Sequence, residues 1–174
     1  VLKRLREFFR TGSSALVRLP LAGLVEAASA PFIRQAAQEG VDFQVGPIPA
    51  AALLADRVQL EIVLRNLLAN AFQAEAQEPR PDPPRVRLEA GTGNGAAWIR
   101  IADNGPGIAN KIRARLFEPF ISLKSSGLGL GLAISRAIVE THGGKLEVEP
   151  SPHGILRITL PVEAMDEESL RDEQ

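Results

Sequence analysis

Between Arg85 and Asp103 the sequence alternates apolar and polar residues twice. Val86, Leu88 and Ala90 precede a Gly-Thr-Gly-Asn-Gly turn, and Ala97, Ile99 and Ile101 follow it. Successive side chains on a strand point to opposite faces, so each run gathers its apolar residues on one face, and the Gly-rich turn joins the runs as a β-hairpin. An apolar sheet face needs a second layer to cover it, and helical periodicities supply that layer. Behind Asp56, a capping residue, Leu60, Val63, Leu64, Leu67, Leu68 and Ala71 recur at spacings of three and four and form one broad apolar face. A second helix is predicted over residues 20–38, with Pro20 in its first turn, a kink at Pro31, and Leu21, Leu24, Val25, Ala28 and Phe32 buried. A third is predicted over residues 129–141, stopped at Gly143. Further strands are predicted over residues 15–19, around Val41, Phe43 and Val45, and over residues 145–149 and 155–160. The expected fold class is α+β: a two-layer α/β sandwich, with helices packed on one face of a mixed β-sheet.

The chain's 174 residues suit a single domain, and 20 basic against 21 acidic residues leave a net charge of -1. That balance gives no general basic field, so nucleic acid is not an expected partner. The absence of cysteine excludes disulfides, thiolate catalysis and Cys-ligated zinc, and two histidines, His142 and His153, leave little material for a His-rich metal site. No apolar run reaches the roughly 18 residues of a membrane span. Leu2, Leu5 and Phe9 form a narrow stripe on a short helix that Gly12 ends, as at a bundle seam whose partner lies upstream or in a second chain. Residues 166–174, with five acids and one Arg, read as a frayed tail. The expected organisation is therefore a helix end and linker over 1–12, one domain over 15–162, and an acidic tail over 163–174.

Four segments carry chemistry. Asp103-Asn-Gly-Pro-Gly107 follows a strand end; alone it reads either as a tight turn or as a loop whose glycines admit a ligand close to the backbone. Gly127-Leu-Gly-Leu-Gly131 opens into an apolar helix, which makes either a flexible junction or an anion site of exposed N–H groups. Its spacing is neither a Rossmann fingerprint nor a P-loop. Asn66 and Asn70 share a helix face, as solvated amides or with an amide oxygen suited to Mg²⁺. Leu116-Phe-Glu-Pro-Phe120, followed by Ile121-Ser-Leu-Lys124, places apolar anchors and a lysine between the two Gly-rich segments. That stretch reads as core for at least one Phe, or as a lid over a ligand.

In their order, these segments resemble the N, G1, F and G2 boxes of the catalytic ATP-binding domain of sensor histidine kinases: Asn66-Leu-Leu-Ala-Asn70-Ala71, Asp103-Asn-Gly-Pro-Gly107, Phe117-Glu-Pro-Phe120 and Gly127-Leu-Gly-Leu-Gly131. His142-Gly-Gly-Lys145 and Leu160-Pro161 are similar to that family too, and residues 1–12 resemble the end of its second dimerisation helix. The resemblance covers roughly residues 15–162. It implies the Bergerat ATP-binding fold, with ATP and Mg²⁺ bound. Asp103 would accept a hydrogen bond from the adenine amine, bordered by Gly105, Gly107 and Ile108. Asn70 would bind Mg²⁺ and Asn66 would line the phosphate region. Gly127, Leu128, Gly129, Leu130 and Gly131 would cradle the phosphates, and Lys124 would reach the γ-phosphate. Asn66 and Lys124 are thus the expected catalytic residues.

Hydrolytic relatives carry a glutamate in place of Asn66, and an amide is a poor base, so the site suits transfer to a supplied nucleophile. Gln73 stands where many members have a Lys, which leaves fewer positive charges for the triphosphate. His142 at a helix end and His153 in a turn both read as structural, so the phosphoacceptor histidine is expected upstream of Val1. The implied partners are that dimerisation domain and a response-regulator receiver domain. The parent would be a homodimer, this stretch mostly monomeric, and the domain cytoplasmic. A Bergerat-fold serine kinase and a non-catalytic nucleotide-binding module are the alternatives.

Overall fold

The computed structural model describes residues 3, 4, 7, 15–75, 81–121 and 129–163. Most of residues 1–12, together with Lys124, Gly127, Leu128 and residues 164–174, lies outside the described part. The elements run in the order β1 (Val17–Pro20), α1 (Leu21–Glu39), β2 (Asp42–Val45), β3 (Ala52–Ala55), α2 (Arg57–Glu75), β4 (Arg85–Gly93), β5 (Ala96–Asp103), α3 (Asn110–Arg113), α4 (Gly131–Thr141), β6 (Lys145–Val148) and β7 (Ile155–Pro161).

Five strands form one sheet in the order β2-β4-β5-β7-β6. β2 runs parallel to β4 and the remaining pairs are antiparallel, so the sheet is mixed, as expected. The β4–β5 hairpin turns at Asn94 and Gly95, whose φ values of 52° and 71° are those of a primed two-residue turn. Val86, Leu88, Ala97, Ile99, Ile101, Leu146, Ile158 and Leu160 are buried in one core with the apolar faces of α1, α2 and α4. The other face carries charge. Arg100 sits between Glu149 at 2.8 Å and Glu89 at 2.9 Å, and the Glu149 hydrogen bond in particular raises its pKa above the ordinary guanidinium value. Arg157 lies 4.9 Å above the Trp98 ring, and Trp98 itself rests on Gly91, where a Cβ would overlap the indole.

Asp56 caps α2 as anticipated, its Oδ1 accepting from the Gln59 N–H at 3.0 Å. Pro31 lies within α1 and has no N–H to give the Ala27 carbonyl four residues back. Arg65 of α2 donates to that carbonyl through Nη2 at 3.4 Å, so the vacated acceptor joins the two helices. Phe72 of α2 is 2% exposed and meets Phe32 and Phe43 at ring distances of 5.2 and 5.5 Å.

Several boundaries differ from the sequence expectation. The first strand is shifted to Val17–Pro20, and Pro20 is the N-cap of α1 rather than a residue of its first turn. β1 pairs with β3 in a separate two-stranded sheet, and β3 was not anticipated because Ala-Leu-Leu-Ala has no two-residue alternation. α3 falls in the Gly-rich stretch and buries none of its residues. α4 begins at Gly131 rather than 129, since Gly129 adopts φ 68° outside the helix. Glu163, the first residue of the expected tail, donates its N–H to the Ala52 carbonyl at 2.9 Å.

Candidate functional site

Asp103 is placed by the pleat. It continues the parity of Ala97, Ile99 and Ile101 at the end of β5, so its carboxylate emerges on the helix-covered side of the sheet. Asp103 Oδ1 accepts from the Gly105 N–H at 2.8 Å, and the Asp103 N–H donates to the Gly154 carbonyl at 2.9 Å. Glycines surround this carboxylate because nothing larger fits. A Cβ on Gly105 would stand 2.6 Å from Oδ1 and 3.1 Å from the Ala74 Cβ of α2, and one on Gly154 would overlap the carboxylate. Gly107 adopts φ 77°, and a Cβ there would strike the Pro152 carbonyl. Ile108 follows, half-buried against the core. Asn104 of the same motif serves the fold. Its Oδ1 accepts from the Arg85 N–H at 2.7 Å, and its Nδ2 donates to the Pro83 carbonyl at 2.9 Å.

On α2, Asn66 reaches across to α4. Its Nδ2 donates to Ser135 Oγ at 3.3 Å and to the Gly131 carbonyl at 3.4 Å. Ser135 is fully buried and was not picked out from sequence; its place one helical turn after Gly131 is the only local signal. Asn70 stands one turn beyond Asn66 on the same side of α2, half-buried. The N-cap position of α4 is Leu130, which forms no side-chain cap, so the helix begins with the positive end of its dipole bare of a capping oxygen. Gly129 is held against the Phe120 end of the Phe117 region. The Phe120 N–H donates to the Gly129 carbonyl at 3.0 Å, and a Cβ on Gly129 would lie 2.7 Å from the Phe120 carbonyl carbon.

The two phenylalanines of that region divide. Phe117 is buried, with the Arg136 guanidinium 5.5 Å from its ring centre, whereas Phe120 is 70% exposed at φ 66°. Thus α2, the β5 end and the start of α4 bring Asn66, Asn70, Asp103, Gly105, Gly107, Gly129, Leu130 and Gly131 to neighbouring edges of the helix layer. Lys124, Gly127 and Leu128 lie outside the described residues.

Both histidines are engaged with the backbone. His142 accepts from the Asp56 N–H at Nε2, 3.1 Å, and donates from Nδ1 to the Ile138 carbonyl, 2.8 Å, which ties the start of α2 to the end of α4. His153 Nδ1 donates to the Gly105 carbonyl at 2.9 Å. Among the described residues no three His, Cys, Asp or Glu stand together as a metal site, and no helix is long and apolar enough to cross a membrane.

The family of histidine kinase-, DNA gyrase B- and HSP90-like ATPases matches residues 55–164. The chain is 40% identical over 169 residues to the C4-dicarboxylate transport sensor protein DctS of Rhodobacter capsulatus, covering 93% of this chain and 25% of that protein. It is 36% identical over 164 residues to the sensor protein FixL of Bradyrhizobium diazoefficiens, covering 92% and 32%. The chain therefore spans a quarter to a third of the length of these two curated relatives. Among solved structures, the mycobacterial sensor histidine kinase MprB superposes with a TM-score of 0.74 at 26% identity, over 86% of this chain and all of that one. Full-length ShkA in complex with AMPPNP gives 0.75 at 25% identity, over 94% of this chain and 35% of that one. A mixed sheet under three helices, with the described motif residues at neighbouring edges of the helix layer and the match over 55–164, settles the assignment: the chain belongs to the family of histidine kinase-, DNA gyrase B- and HSP90-like ATPases.

Proposed function

We propose that this chain is the ATP-binding kinase domain of a two-component sensor histidine kinase. It would pass the γ-phosphoryl of ATP to a histidine outside residues 1–174, and from there it would go to an aspartate on a response regulator. The observation that carries this reading is the Asp103 carboxylate, packed among glycines on the helix side of the sheet and oriented by the Gly105 N–H. A carboxylate so held accepts from the adenine amine and repels the guanine carbonyl, which selects ATP over GTP. Gly107 and Ile108 border the base.

The uncapped start of α4, with Gly129, Leu130 and Gly131, suits the phosphates, and Lys124, Gly127 and Leu128 would complete that wall. Mg²⁺, when bound, would neutralise phosphate charge. Asn70 offers it an amide oxygen, and the remaining ligands would be phosphate and water oxygens, as a hard cation prefers. Asn66 lines the phosphate side while its Nδ2 is committed to Ser135 and Gly131, and an amide abstracts no proton from water. The transfer then rests on alignment: a supplied imidazole nitrogen bonds to the γ-phosphorus as the bridging P–O bond breaks and ADP leaves. Both ring nitrogens of His142 and the Nδ1 of His153 are bonded to the backbone, so both rings have partners within the chain.

The reading is tested with radiolabelled ATP. The 174-residue chain alone should take up no label. Mixed with a separate polypeptide bearing a candidate upstream histidine helix, it should label that histidine slowly, because tethering no longer raises the local concentration. The label should be acid-labile and base-stable. An acid-stable, base-labile label would indicate a serine kinase, and ATP binding without transfer would indicate a non-catalytic module. Self-labelling lost in His142→Gln or His153→Gln would place the acceptor in this chain.

The metal assignment has its own check. Asn70→Ala should weaken Mg²⁺–ATP binding about tenfold and metal-free ATP much less, since the missing group is an oxygen ligand. Equal losses in calorimetry with and without Mg²⁺ would assign Asn70 to packing.

A further inference from the structure

The turn between β6 and β7 belongs to none of the motif segments, yet it forms the back wall of the Asp103 loop. The Gly154 carbonyl takes the Asp103 N–H, and Gly154 itself leaves room for the carboxylate. Pro152 presents its carbonyl against Gly107. The His153 side chain of the turn reaches the loop, donating from Nδ1 to the Gly105 carbonyl at 2.9 Å. A carbonyl only accepts, so the ring carries its proton on Nδ1. The His153 N–H in turn donates to Ser151 Oγ at 3.0 Å, which fixes the turn from which the ring projects.

Gly105 is thus gripped at both ends. Its N–H holds Asp103 Oδ1 and its carbonyl is held by His153. Between them lies a residue without a Cβ, whose backbone has more conformational freedom than any other, and Pro106 follows with no N–H to offer. Released at its carbonyl, Gly105 would be held at its N–H alone, and the alignment of that N–H on the carboxylate would loosen. His153 is exposed, so its removal uncovers little apolar surface. Its consequence is confined to the loop.

Building on the adenine-site reading of Asp103, we propose that His153 is a positioning residue for base recognition, acting through Gly105 to aim the Asp103 carboxylate at the exocyclic amine. The role differs from a merely structural one in a measurable way, because it matters only for nucleotides that possess the amine. The experiment is calorimetry on the 174-residue chain with ATP and with purine riboside triphosphate, which lacks that amine. Wild type should favour ATP. His153→Ala should weaken ATP binding about three- to tenfold, the scale of one net hydrogen bond, and leave purine riboside triphosphate unchanged. His153→Asn should restore ATP binding, since its Nδ2 lies as many bonds from the backbone as Nδ1 and also donates. Unchanged ATP binding in His153→Ala, equal losses for both nucleotides, or no recovery in His153→Asn would overturn the positioning role. A wild type that does not distinguish the two nucleotides would instead overturn the adenine reading of Asp103, and the role of His153 with it.

Discussion

Asp103→Ala should bind ATP roughly a hundredfold more weakly than wild type, while its GTP affinity holds or rises. The substitution removes a charged acceptor that the surrounding glycines aim, and hydrogen bonds to charged groups are worth about 1.5–3 kcal/mol. The loss falls on adenine because only adenine donates at that position; a guanine carbonyl loses a repulsion instead. The preference for ATP over GTP should therefore collapse, which competition calorimetry measures directly. In the folded chain the carboxylate receives the Gly105 N–H and lies at the end of β5 rather than in the core, so the melting temperature without nucleotide should fall by only a few degrees. ATP affinity that survives the substitution would refute the adenine site.

The second large effect is on stability and comes from α2. Phe72→Ala should cost about 3–5 kcal/mol, because a ring that is 2% exposed is replaced by a cavity between Phe32 and Phe43. Against a total stability of about 5–15 kcal/mol, that brings the chain near its unfolding threshold. For a domain of this size the melting temperature should drop by roughly 6–20 °C. Bound nucleotide at a hundred times its dissociation constant adds about 2.7 kcal/mol, so Mg²⁺–ATP should recover a good part of the loss. The pair of variants separates two kinds of failure. Phe72→Ala is rescued by nucleotide, and Asp103→Ala is stable but unresponsive to it. A Phe72→Ala melting curve superposable on wild type would mean that the three rings do not form a joint core.

The strongest elements were legible because each carries its own period. The alternation through Ala97, Ile99 and Ile101 gives the orientation of Asp103 as well as the strand, and the six-residue apolar face of α2 sets Asn66 and Asn70 together along its flank. β3 escaped because Leu53 is buried and Leu54 exposed between two buried alanines, and its partner β1 lies far earlier in the chain. α3 escaped because Asn110-Lys-Ile-Arg113 buries nothing, and a helix without a buried face leaves no periodic trace. The start of α4 was read two residues early, because sequence alone does not reveal that Gly129 is spent on contact with Phe120 and Ile121. The bond from His153 to Gly105 had no local signal. It depends on the order β5-β7-β6, which brings a turn about fifty residues downstream against the Asp103 loop.

The parity that orients Asp103 also sets where the chain tolerates changes of length. Deleting or inserting a single residue within β5 would reverse every side chain beyond the edit, delivering Asp103 to the outer surface where Arg100 and Arg157 stand. An insertion between Asn94 and Gly95 would instead fall in an exposed turn whose glycine has open space around it, at the far end of a strand spanning roughly 25 Å from the carboxylate. Within one hairpin, then, length variation is confined to the tip. The tip is accordingly the place to attach a fluorophore or an inserted domain without disturbing the nucleotide edge.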